Sequence, residues 1–397
     1  MDNNPENRIP GAGQFGQSAP GAGNGGFYTQ PQPQPSPSVI YNNMQNGGIP
    51  YGGAPQYHYG PAVPVMNGRY YFEQQQRARS IREAKKAIRR GATPAAAGMG
   101  LYWVMGMIFS AVLIQTRLGL LYNYDSLAFS AIGVFYTAAT VFLPFLLAAF
   151  IYKKCGSIGN ITLDKPKTPP LKTLLLIIMA FGGCMLANYI TNILVAVAEG
   201  IGIYFDSPTG PDPTNAVEII VSFIGTAIMP PLIEEFAMRG VVLGNLRKYG
   251  DSFAIIASAF VFGMFHANPT QIPFAFMCGL LLGYVAVETG SLWVSITVHL
   301  LVNSLSCIYP VIALISSEET ADSVISVLIP VVMLAGVIAL ALLLYFYRPV
   351  KKQKKEELLS LGAKFGAFIT NPGVLIMSII FFIEACVGYV SFQSGSF

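Results

Sequence analysis

Six residues in this chain have the types and spacing to do chemistry together. Glu234 and Glu235 lie in PPLIEEFAMRG at 230–240, with Arg239 four positions after the second. His266 closes FGMFH at 262–266, and His299 and Asn303 bound HLLVN at 299–303. All of them fall within or beside apolar stretches that approach membrane-spanning length. An ionised carboxylate or imidazole in hydrocarbon is costly unless it is paired, so this concentration calls for a functional reason. The chemistry it points to is proton transfer inside a membrane.

Glu235 and Arg239 share a helical face and suit a buried ion pair, which is a structural reading as much as a catalytic one. Glu234 points about 100° away from Glu235 and has no cation near it in sequence, which leaves it free to act as a general base or acid. A single membrane histidine often serves as a helix-to-helix hydrogen bond. Two of them, with a carboxylate pair and an arginine, read more readily as one site. Asn303 follows His299 by four residues on one face, and its amide could hold a developing oxyanion. Phe262, one turn before His266, reads as packing. This is a set for activating water against a carbonyl, since neither a serine nucleophile elbow nor a cysteine–histidine pairing is present. Glu234, His266 and His299 could alternatively hold Zn2+ with a water in the open position. The H-E-x-x-H pattern is absent, and the reading without a cofactor is preferred.

The elements that must position these groups follow from composition. The 397 residues are 53% hydrophobic and 11% charged, against about 25% charged for a soluble domain. The expected fold is all-α: a polytopic transmembrane helical bundle of about nine spans behind a disordered N-terminal tail. The net charge of +4 is gathered beside apolar segments, which speaks for topology signals and against a nucleic-acid surface. Cys155, Cys184, Cys278, Cys307 and Cys386 are scattered singly, giving neither a disulfide framework nor a cysteine zinc site.

Residues 1–72 form a Gly-, Pro-, Gln- and Asn-rich tail that contains His58 and could bind an unknown cytoplasmic partner. Residues 73–98 make a basic juxtamembrane helix and linker, with seven Arg and Lys between Arg77 and Arg90 that suit anionic lipid. Accessory spans are expected over 99–169, the site-bearing core over 170–347, and a basic loop with a final span over 348–397. The apolar segments lie near 99–118, 128–151, 171–198, 217–246, 254–268, 272–288, 291–315, 323–347 and 368–391. Alternate connections between them carry Lys and Arg or Asp and Glu, which places the N-terminus in the cytoplasm. Pro230 and Pro231 are expected to break the fourth segment or restart it, putting both glutamates in a first helical turn. The closeness of Arg247 and Lys248 to the glutamates leads to an expectation of substrate access from the cytoplasmic side.

The ordered set EEFAMR, FGMFH and HLLVN resembles the CPBP intramembrane protease family, also described as CAAX proteases and bacteriocin-processing enzymes. The likeness covers approximately residues 170–345. It implies a peptidase in which Glu234 and His266 activate water, Glu235 and Arg239 stabilise the site, and His299 and Asn303 shape an oxyanion pocket. The implied substrate is a membrane protein or lipid-associated peptide. The tail composition and the Lys-rich loops suggest the cell membrane of a Gram-positive bacterium.

Overall fold

A backbone in hydrocarbon must satisfy its own polar groups, and each apolar segment does so as a helix. The computed structural model describes residues 68–153, 162–205, 211, 213–347 and 357–392. Most of the N-terminal tail with His58, and the connections 154–161 and 348–356, lie outside the described residues.

Helix α1 (Gly68–Gln115) joins the basic stretch and the first apolar segment into one 48-residue rod that runs through Pro94. The short α2 (Leu118–Tyr124) follows a turn containing Arg117, which therefore caps a helix instead of lying within a span. The second span is α3 (Ser126–Thr137), a π-helical turn and α4 (Leu143–Lys153). Helix α5 (Pro170–Gly200) is the third.

The fourth span, Ala216–Tyr249, contains α6 (Ala216–Phe223), α7 (Met229–Glu235) and α8 (Gly244–Leu246), separated by π-helical stretches at Ile224–Ile228 and Phe236–Leu243. Then come α9 (Asp251–Phe265), α10 (Gln271–Thr289), α11 (Leu292–Ile315) and α12 (Glu318–Phe346). The last segment is a pair bent by 78°, α13 (Leu361–Ile369) and α14 (Pro372–Tyr389).

Seven of these helices are long and apolar enough to cross a bilayer, and the bent pair makes eight. Helix α9, with 15 residues, spans only ~22 Å. The chain is a multi-pass membrane protein, and its only described sheet is a two-stranded antiparallel ribbon, Ile203–Phe205 with Val390–Phe392.

The Pro230–Pro231 pair does not break the fourth span but restarts its α-helical geometry. It stands at the beginning of α7, with the glutamates at the end of α7 and not in its first turn. A proline ring collides with the carbonyl four residues back and offers no N–H. The wider π-helical turn just before the pair absorbs that conflict, so the chain stays helical and the glutamates lie deep within the span.

Helix α5 packs closely on α12 and α10. A Cβ at Gly182 would sit 2.7 Å from the Gly336 Cα and 2.7 Å from the Val332 carbonyl oxygen, so only glycine allows this crossing. Between α10 and α11 the chain reverses at Gly290, whose φ of 67° favours glycine. The connection ahead of α5 docks on that turn, with Lys167 N donating to Thr289 O at 2.9 Å and Leu292 N to Thr162 O at 2.9 Å. Helices α13 and α14 are tied to α1 by Asn371 Nδ2 to Arg89 O at 2.8 Å and Trp103 Nε1 to Glu384 Oε1 at 2.6 Å.

Candidate active site

Glu234 and Glu235 close α7, and Arg239 lies one turn further on. Glu235 and Arg239 are both fully buried. The Arg239 Nη1 to Glu235 Oε1 distance is 2.9 Å, and Nη2 donates to the Gly279 carbonyl at 3.3 Å. The guanidinium carbon stands 4.6 Å from the centre of the Phe262 ring, a cation–π contact that further offsets its desolvation. Burial without these partners would be prohibitive, so the pair requires α7, α9 and α10 to meet here.

His299 arrives from α11, with Nδ1 3.0 Å from Glu235 Oε1 and Nε2 3.8 Å from Glu234 Oε2. A carboxylate oxygen accepts, so Nδ1 of His299 carries the proton and Nε2 is left on the Glu234 side. His266 caps α9, and its Nδ1 lies 2.8 Å from the Phe262 carbonyl oxygen. That oxygen only accepts, so His266 is also the Nδ1–H tautomer, with an Nε2 lone pair when neutral. The Phe262 ring meets both imidazoles edge-on, at 4.9 Å from His266 and 5.8 Å from His299. Phe262 does pack, as its position suggests, but what it packs is the site itself.

Asn303, one turn beyond His299, donates through Nδ2 to the Thr226 carbonyl oxygen at 3.0 Å. One amide hydrogen is thus engaged, and the other remains available. Glu234, His266, His299 and Asn303 all line one cavity of about 240 Å3, together with Cys184 and Cys278. Glu235 and Arg239 stand behind its wall. Among the described residues no three His, Cys, Asp or Glu side chains are arranged to hold a metal ion. Glu234, His266 and His299, as placed, do not form a ligand set.

Several participants escape a reading of side-chain types. Thr226 contributes a backbone carbonyl, Gly279 another, and Ser295 on α11 lies against the Glu235 carboxylate. The sequence does hold a signal for Thr226. Its carbonyl would pair with the N–H of residue 230 in an α-helix or 231 in a π-helix, and both are prolines. Cys184 and Cys278, far apart in the chain, come within reach of each other where α5 meets α10.

Residues 216–305, which hold all six groups, match the family model described as Type II CAAX prenyl endopeptidase Rce1-like. This stretch is similar to the CAAX-protease family. A relative named "Putative membrane peptidase YdiL", from Bacillus subtilis (strain 168), is 29% identical over 94 residues. That alignment covers 23% of this chain and 38% of the relative's own length. No solved structure matches the chain. The matched region begins at α6 and ends within α11, so α1 to α5 and α12 to α14 lie outside it.

Proposed function

We propose that the protein is an endopeptidase that hydrolyses a peptide bond in a membrane-associated protein or peptide. The observation that carries this reading is the convergence of Glu234, His266, His299 and Asn303, from three separate helical segments, on one cavity. Glu234 takes the proton of the attacking water, and His266, with its free Nε2, shares that proton and delivers it to the leaving amine. His299 is fixed by Glu235, which Arg239 neutralises, so its ring is oriented before substrate arrives. The second amide hydrogen of Asn303 stabilises the tetrahedral oxygen.

Water activated without a metal is the preferred reading. Zn2+ held by Glu234, His266 and His299 is the alternative, and it requires those side chains to rearrange. Chelation followed by Zn2+ addition separates the two, because only the metal route loses activity and regains it. The reading places the protein in a bacterial cell membrane with its N-terminus in the cytoplasm and its basic segments on anionic lipid.

A scaffold or immunity protein that keeps these polar groups as structure is the rival. The deciding experiment compares membrane and secreted peptides from cells carrying the wild-type protein or Glu234→Gln. A protease loses a defined set of cleavage products in the variant, whereas a scaffold leaves the peptide profile unchanged.

A further inference from the structure

The cavity that holds Glu234 is closed toward one end of the helices and continues toward the other. Thr226 and Ser306 also line a second cavity of about 320 Å3, which reaches Ser130, Pro211, Pro213 and Cys307. Gln271, Asn303 and Ser306 are shared with a third, of about 370 Å3, that extends to Asn188 and Ile325. These residues lie near the starts of α3, α6, α10 and α12 and in the later halves of α5 and α11. They belong to one end of the helix bundle.

Toward the opposite end the interior is solid. Met238, Leu243, Leu246, Phe253, Leu282 and Val285 are all essentially inaccessible to solvent. A cavity does exist at that end, between Arg90, Lys248 and Tyr249, but it shares no lining residue with the site. Counting residues from Glu234 to Arg247 and Lys248 gives depth along one helix. It cannot reveal which end is plugged, and here the near end is.

The two ends differ in charge. The closed end carries Lys165, Lys167, Lys172, Arg247, Lys248 and the basic half of α1, beside the acids Asp164, Asp251 and Glu288. The open end carries Asp125, Glu199, Glu318, Glu319 and Asp322, with Arg117 as its one base among the described residues. Positive charge is retained in the cytoplasm. We infer that the site is entered from the non-cytoplasmic side, and that its substrates are peptide segments exposed there in secreted or membrane-anchored proteins. The substrate class rests on the peptidase reading; the direction of access does not.

Cys307 lines the second cavity and Cys155 falls in the Lys-rich connection, so the chain carries its own pair of reporters. Intact cells expressing the full chain are treated with a permanently charged, membrane-impermeant methanethiosulfonate, and labelled cysteines are located by mass spectrometry. Cys307 is expected to be labelled in intact cells, and Cys155 only after permeabilisation. A Ser222→Cys variant adds a second thiol on the same cavity wall and should behave as Cys307 does. Labelling of Cys155 alone in intact cells would overturn the inference. So would failure of both cavity thiols to react even after permeabilisation. Neither result depends on proteolysis, so the test stands apart from that of Glu234→Gln.

Discussion

Asn303 donates its side-chain amide to the Thr226 carbonyl oxygen at 3.0 Å, across 77 positions of sequence. The contact is favoured by Pro230 and Pro231, which remove the backbone donors that an α-helix or a π-helix would offer that oxygen. The same contact pins α11 to the span that carries the glutamates, and it aims Asn303 at the cavity. Packing of the helix and construction of the site are here one requirement.

Asn303→Ala therefore strands a carbonyl, and the expected loss of stability is about 1–3 kcal/mol. Pro230→Ala restores an N–H four residues after Thr226. The double variant should unfold at a higher temperature than Asn303→Ala alone while remaining inactive. Thermal unfolding in detergent checks the first part, and cleavage of the affected peptides checks the second.

The Glu235–Arg239 pair makes a sharper prediction because both side chains are fully buried. Removing one partner, as in Arg239→Met, leaves an unpaired charge and should cost roughly 3–5 kcal/mol. Replacing both, as in Glu235→Leu with Arg239→Met, should recover much of that loss. It should not restore activity, because His299 Nδ1 then has no carboxylate to orient it. A double-mutant thermal-unfolding cycle, run alongside cleavage assays, measures both effects.

His299→Asn tests the tautomer assignment. The asparagine amide can occupy the Nδ1 position and keep donating to Glu235, but nothing replaces Nε2 beside Glu234. The variant should fold like the wild type and lose activity by about 10²-fold, because the ring that positions Glu234 from that side is gone. An unfolding midpoint far below that of wild type would show that the ring is mainly structural.

Gly336→Ala probes the scaffold alone. Its Cβ would lie 2.8 Å from the Gly182 Cα, so α5 and α12 must separate. Overpacking of this kind costs about 1–3 kcal/mol. The loss should appear as a lowered thermal midpoint with the site residues unchanged.

Much of the fold was legible because hydrocarbon imposes a simple rule. An apolar run of spanning length has to become a helix; all nine apolar runs are largely helical, although α9 is shorter than a span. Hydropathy could not show that the basic stretch before Met99 continues as one rod with the first span, since a polar helix and a polar linker look alike to that measure. Nor could it foresee that Pro230 and Pro231 would be tolerated, because the remedy is a π-helical turn plus an amide from another span. The polar side chains of the site were visible as anomalies in apolar surroundings. Their backbone partners on Thr226, Phe262 and Gly279 were not, since every residue carries a carbonyl and only the fold selects which are used.

The central claim is that Glu234 activates the water that cleaves substrate. The direct measurement is the cleavage rate of a peptide found by the cellular comparison, using purified wild-type and Glu234→Gln protein in liposomes. The only described ion-pair partner of Glu234 is His299, at 3.8 Å, so the glutamine should leave thermal unfolding nearly unchanged. The account predicts a fall of about 10²–10⁴-fold or more in rate with the fold intact. A glutamine variant that cleaves at the wild-type rate would contradict it.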